Sequence, residues 1–200
     1  MFTHLHLHTQ YSLLEGAIRI KDLAAALKEK GYESCAITDH DNMFGAIEFY
    51  HAMKAANLKP IIGVGASVAE EETQQELNSF GRKKSSPGQV QLLCLNRAGY
   101  QNLSFMMSLS YTEGKVNGTP CINYQLLEKY HEGLIALSGG MNSQINRLLH
   151  NGRMEEARSI AIWYRDLFAG RYYIELQSTG LSEQKTQNEQ LVMLGDELDI

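Results

Sequence analysis

At 200 residues, with 44% apolar and 20% charged residues, the chain is long enough for one large domain with a sizeable core. A net charge of −5 argues against a domain that grips nucleic acid by itself, because such domains usually present a basic face. Cys35, Cys94 and Cys121 are odd in number and widely spaced, and Cys35 and Cys94 lie in apolar runs, so these two read as buried thiols of a reducing compartment; with no signal-peptide pattern and no apolar run of the ~18–20 residues that span a bilayer, a cytoplasmic protein with no membrane contact is expected.

The first element is a predicted strand, Phe2–His8. Alternate side chains of a strand share a face, which lines up His4, His6 and His8 and turns Leu5 and Leu7 toward a core. Ile20–Lys30 has helical apolar spacing and is closed by Gly31. Strand Ser34–Thr38, helix Phe44–Ala56 and strand Pro60–Val64 follow. The polar stretch Glu70–Gln91 is expected as a solvated hairpin or mobile loop. Then come strand Val90–Leu95, helix Ala98–Ser108 and a surface loop over Tyr111–Asn123, which carries Gly114, Gly118 and Pro120. Strand Gly133–Ser138, helices within Ser143–Leu149 and Met154–Phe168, strand Tyr172–Leu176 and a helix from Ser182 complete the series. This alternation predicts βα units and a mainly parallel sheet, with a barrel favoured over an open sheet. Functional groups then belong at strand C-termini, where His6, His8, Asp39, His40, Gly63–Gly65 and Gly139–Gly140 fall.

Neutral imidazole is a common ligand of zinc and similar ions, and His6 and His8 at i and i+2 suit one ion or a bridge between two. AITDHDN adds His40 between Asp39 and Asp41, which could bind metal or orient an imidazole. Glu15, in LLEG, could reach the same mouth. The bland alternative is a polar strand face and a helix cap; three alternating histidines plus an Asp-His-Asp turn favour a metal or phosphate site. Ser12 shows no separate base and acid for nucleophilic chemistry. The glycines of IIGVG and LSGG match no dinucleotide or P-loop pattern and mark turns after strands. His51, His131 and His150 read as surface residues, and Tyr100 as a packing aromatic.

LHLHTQYSLLEG, followed by AITDHDNMFGAIEFY and KPIIGV, resembles the PHP (polymerase and histidinol phosphatase) domain at the N-terminus of bacterial replicative DNA polymerase III alpha subunits. LNRAGYQNL, EGLIALSGG and RYYIELQSTGLSEQ continue the match in order, GYQNL and YIELQ being similar to the polymerase branch in particular. The resemblance implies an α/β fold, a distorted (βα)7-type PHP barrel, occupying 1–200 as a single domain. It also implies divalent metal (zinc, manganese or magnesium) at the strand C-termini, supporting phosphoester hydrolysis of the 3′–5′ exonuclease type. By resemblance, His6, His8, Glu15, Asp39 and His40 are metal-site residues, Glu15 standing where aspartate is usual. Three positions depart from the pattern: Gly65 replaces a glutamate, Gln89 a histidine, and Gly140 another ligand. A final Asp-x-His pair belongs beyond residue 200. The expectation is therefore a partial site with reduced or absent metal, in a barrel incomplete at its C-terminal end and belonging to a much larger polypeptide. That parent would carry the polymerase carboxylates and bring DNA. The implied partners are the rest of the polymerase chain and a proofreading exonuclease subunit, with a structural or docking role for the domain. The alternatives are a nuclease still active in cis and a free-standing phosphoesterase of the histidinol-phosphatase kind.

Overall fold

The computed structural model describes residues 2–69 and 87–200. Its first helix, α1 (Ile20–Glu29), buries Ile20, Leu23, Ala24 and Leu27, the i, i+3, i+4, i+7 stripe of an amphipathic helix. Gly31, at φ +75°, then turns the chain out of the helix into β1 (Ser34–Ile37). Next come α2 (Ala46–Ala55), β2 (Lys59–Val68), β3 (Gly88–Cys94) and α3 (Arg97–Thr112). The remaining elements are β4 (Lys115–Val116), β5 (Thr119–Pro120), α4 (Tyr124–Tyr130), β6 (Leu134–Leu137), α5 (Gln144–His150), α6 (Met154–Phe168), β7 (Tyr172–Tyr173) and α7 (Ser182–Leu198).

Five strands form one sheet in the order β1-β2-β3-β6-β7. Its outer pairs, β1·β2 and β6·β7, are parallel, whereas β3 runs antiparallel to both β2 and β6. The sheet is thus mixed rather than mainly parallel, because apolar patterning reports which face of a strand is buried and not which way its neighbour runs. The polar segment placed at 70–91 lies largely outside the described residues; Gly88–Gln91 already belong to β3.

Two other expectations are corrected, and one helix is added. Phe2–His8 forms no continuous ladder: it runs beside β1 through one bridge, His4 to Cys35. Ala36 N donates to His4 O (2.8 Å) and Thr38 N to Leu7 O (2.9 Å), but Leu7 N donates to the Thr38 hydroxyl (2.9 Å), which takes the place of a backbone acceptor. Leu7 packs against the α1 cluster, whereas Leu5 is exposed, and His4 lies against Phe2 and Tyr32. The loop placed at Tyr111–Asn123 contains a hairpin, β4–β5, turned by Asn117 (φ +52°) and Gly118 (φ +90°). Asn-Gly is the dipeptide that a two-residue hairpin turn prefers. Finally, α4 is a helix that apolar spacing did not announce; Asn123 caps it by accepting from Leu126 N at 2.8 Å.

Strand alternation sorts the sheet into two faces. Val64, Ala66, Val68, Val90, Leu92, Leu134 and Ala136 pack under the helices with Leu103, Met106 and Phe168. The opposite face carries only a small cluster of Ala36, Leu93 and Leu137 with Ile61 and Ile135. Above it opens a cavity of about 780 Å³, bordered by Phe2–His6 on one side and Tyr173–Thr179 on the other. Cys35 and Cys121 are buried and Cys94 half-buried, all three unbridged, and burial pushes the Cys35 thiol up to about 11.

One close contact explains two motif glycines. Gly99, in the first turn of α3, sits against Gly133 at the entry to β6. A Cβ on Gly99 would lie 1.8 Å from the Gly133 carbonyl oxygen, so helix and strand approach backbone to backbone.

Candidate functional site

The site assembles where the first segment, the chain after β1 and the chain after β7 meet. His6 and His8 turn their Nε2 atoms toward each other, 2.8 Å apart. His8 stacks on His40, with ring centres 4.2 Å apart and planes 21° apart. His40 Nε2 pairs with Glu15 Oε2 at 2.5 Å, although the Glu15 side chain is largely exposed. Gln89 Nε2 approaches the other ring nitrogen of His40 at 3.3 Å. The three imidazoles and Glu15 are therefore gathered in one place, as their positions after strands predict.

Asp39 plays a different part in the geometry. Fully buried, its Oδ1 accepts from Thr9 N (2.6 Å) and the Ser12 hydroxyl (2.6 Å), while Oδ2 accepts from the Thr9 hydroxyl (2.7 Å). Those donors shape the Thr9–Ser12 turn on which His8 depends. Ser12 Oγ, its own proton committed to Asp39, lies 3.2 Å from His8 Nδ1 and accepts from His40 N (3.1 Å). A hydroxyl whose proton is already donated can only accept, so His8 Nδ1 carries the hydrogen and its Nε2 holds the lone pair. Asp41, at φ +53°, binds Ser67 through N (2.6 Å) and Oγ (2.9 Å) and so faces β2. Burial holds its carboxyl above the usual range, against the pull of those two bonds.

Desolvation lowers His8 from 6.5 to about 3, with His40 and His6 adding to the effect. Below pH 6.5 the unfolded chain takes up a proton that native His8 refuses. The corresponding stability is complete above 6.5 and declines as pH falls toward 3. Because the ring is only partly buried, the expected decline between pH 7 and 5 is about 1 kcal/mol rather than the ~2 kcal/mol of a fully desolvated group. Urea unfolding at the two pH values should show a smaller decline for His8→Gln than for the wild type by that amount; equal declines refute the assignment.

The other half of the site is lined by amides. At Gly65 the space for a side chain holds the Gln91 amide, 3.1 Å and 3.2 Å from where a Cβ would stand. Gln91 is fully buried, and neither its oxygen nor its nitrogen has a hydrogen-bond partner among the described residues. At Gly140 the space holds the Gln177 amide, 2.6 Å away. With Gln89 against His40, three glutamines thus stand opposite the histidines. No cluster of three or more His, Cys, Asp or Glu side chains poised for a metal occurs among the described residues. The donor set fits one cation at most: two Nε2 atoms converge, but neutral amides fill the room that further charged ligands need.

Two residues that sequence reasoning passed over complete the site. Glu175 Oε1 pairs with His6 Nδ1 at 2.5 Å, across 169 positions of chain, and Gln177 Nε2 donates to the same oxygen at 2.7 Å. Both lie in RYYIELQ, whose acidic residue just after an apolar strand was the available signal. The contact joins the first segment, beside β1, to the chain leaving β7, so the two margins of the sheet curl toward each other; no strand ladder closes them among the described residues.

The chain matches the PHP domain over residues 4–179. It is 42% identical, over its whole length, to DNA polymerase III subunit alpha of Campylobacter jejuni, and 42% identical, again over its whole length, to that of Deinococcus radiodurans. It spans only 17% and 15% of those two relatives. Among solved structures it superimposes on a protein of Bifidobacterium adolescentis described as a metal-dependent phosphoesterase, with a TM-score of 0.59 and 14% identity, covering 99% of this chain and 84% of that one. At that identity the likeness speaks for the fold alone. The match over residues 4–179 and these polymerase relatives place the chain in the PHP domain family.

Proposed function

We propose that residues 1–200 form a single PHP domain of a DNA polymerase III alpha chain, acting there as a structural and docking module. Nucleotidyl transfer then belongs to the remainder of that polymerase, which brings DNA to the domain in the cytoplasm; among the described residues no helix is long and apolar enough to cross a membrane. The polymerase assignment rests on the match along the whole chain to relatives about six times its length.

The observation that carries the reading of the site is the filling of Gly65 and Gly140 by the Gln91 and Gln177 amides. His6 and His8 would hold one divalent cation (zinc, manganese or magnesium), with Glu15 and His40 beside them and Asp39 holding the turn. Such an ion would supply Lewis acidity. In-line phosphodiester cleavage by paired metals needs a second ion to stabilise the leaving oxygen, and Gln89, Gln91 and Gln177 offer it only neutral amides. Exonuclease turnover is therefore expected to be weak or lost.

Elemental analysis of protein purified without chelator should find no more than one zinc, manganese or magnesium per chain. Incubation of single-stranded DNA with added manganese should release nucleotides no faster than a buffer control. Two or more tightly held ions with robust 3′–5′ release overturn the degenerate-site reading. A pull-down with the proofreading exonuclease subunit tests docking, and its failure removes that part of the proposal.

A further inference from the structure

We propose that Glu175 is a positioning residue of this site: it holds the hydrogen on His6 Nδ1 and thereby turns His6 Nε2 toward His8. The inference deepens the single-cation reading and rests on it for its consequence, though not for its geometry.

The Glu175 carboxylate is in an expensive place. Its side chain is only 9% exposed, and Oε2 is buried with no partner among the described residues. Burying a carboxylate is strongly unfavourable unless charge-assisted hydrogen bonds compensate. Here they converge on the other oxygen. Oε1 receives His6 Nδ1 at 2.5 Å and Gln177 Nε2 at 2.7 Å. The 3.2 Å approach of Gln177 Nε2 to His6 Nδ1 follows from this, as two donors sharing one acceptor. The backbone is pinned as well, because Glu175 N donates to the Ser138 hydroxyl at 2.9 Å.

An ionised carboxylate only accepts, so the imidazole nitrogen facing it must carry hydrogen. The two ring nitrogens lie on opposite sides of a rigid ring; anchoring Nδ1 therefore also aims Nε2. It is aimed at His8 Nε2, 2.8 Å away, a separation at which the two nitrogens share a proton in the metal-free chain and could share a cation instead. On the far side Ser12, itself held by Asp39, does the same for His8 through Nδ1. Each imidazole is thus held from behind by a carboxylate, one directly and one through a hydroxyl. This is the arrangement that makes paired histidines donors toward a common point, and partners of this kind typically contribute 10–100-fold in metal affinity.

The test joins two readouts. Long-range proton–nitrogen spectra of the metal-free chain report which imidazole nitrogens are protonated, and visible absorption reports Co²⁺ binding. In the wild type His6 Nδ1 should be protonated. Glu175→Leu should leave His6 Nδ1 without its hydrogen and weaken Co²⁺ binding 10–100-fold. Glu175→Gln, whose Oε1 still accepts, should keep the hydrogen on Nδ1 and rescue most of the affinity. A role confined to holding the two sheet margins together would shift the melting temperature without moving the hydrogen. Unprotonated Nδ1 in the wild type overturns the proposal, as does Glu175→Leu with unchanged spectra and Co²⁺ affinity. If Glu175→Leu does not fold, the wild-type spectrum still decides. A wild type that binds no Co²⁺ overturns the single-cation reading, and the nitrogen spectra, which need no metal, judge Glu175 separately.

Discussion

Asp39→Ala is expected to lower the unfolding free energy by about 4 kcal/mol, a large share of the ~5–15 kcal/mol that holds a domain of this size folded. The substitution removes one carboxylate and strands three donors: Thr9 N, the Thr9 hydroxyl and the Ser12 hydroxyl. Thr9 and Ser12 are themselves buried, at 0% and 2% exposure, so water cannot readily replace the lost acceptor. Each unsatisfied buried donor costs about 1–3 kcal/mol. Asp39→Asn keeps one acceptor oxygen and should cost about half as much. Urea denaturation of the three proteins at pH 7 is the measurement, and a loss below about 1 kcal/mol for Asp39→Ala would contradict the hydrogen-bond account. Since Ser12 also accepts from His40 N and contacts His8, the same variant should blur the His8 and His40 ring signals.

Gly99→Ala is expected to destabilise by about 3 kcal/mol or more. In an open helix this exchange stabilises by ~1 kcal/mol, so the sign itself is diagnostic. The new methyl group would fall 1.8 Å from Gly133 O and 2.5 Å from Gly133 C, both main-chain atoms that no rotamer change can move. Helix α3 would have to lift from the entry to β6, weakening the contacts that Leu103 and Met106 make in the main core. Gly31→Ala serves as the comparison: at φ +75°, with nothing within 4 Å of a Cβ, it should cost only the ~1–2 kcal/mol of a left-handed residue. Thermal or urea unfolding of both variants checks the ranking, and Gly99→Ala no worse than Gly31→Ala refutes the backbone contact.

The core of the fold was legible because α1 carries a helical apolar stripe and the central strands are short apolar runs. The buried positions follow both: the stripe on α1, and the continuous runs Gly63–Val68 of β2 and Val90–Leu93 of β3. The gathering of His6, His8, Glu15 and His40 was also foreseen, since strand ends in a βα fold converge on one side. The N-terminal strand was over-read: Leu7 N has an attractive alternative acceptor in the Thr38 side chain, and no local pattern reveals such competition. The Asn117-Gly118 turn was, by contrast, a signal present in the sequence and passed over.

By itself, the sequence determined the family and most of the succession of strands and helices. Each of these depends on residue identity or on spacing within one element. Only the tertiary structure decided what fills the room beside Gly65 and Gly140, because Gln91 meets Gly65 through the register of β2 and β3, and Gln177 meets Gly140 across separate loops. It likewise decided that β3 runs against both of its neighbours, that Asp39 serves the turn, and that Glu175 lies behind His6. Contacts across 169 positions of chain depend on sheet order, strand direction and curvature, and those are set by how all the elements pack together rather than by any local pattern.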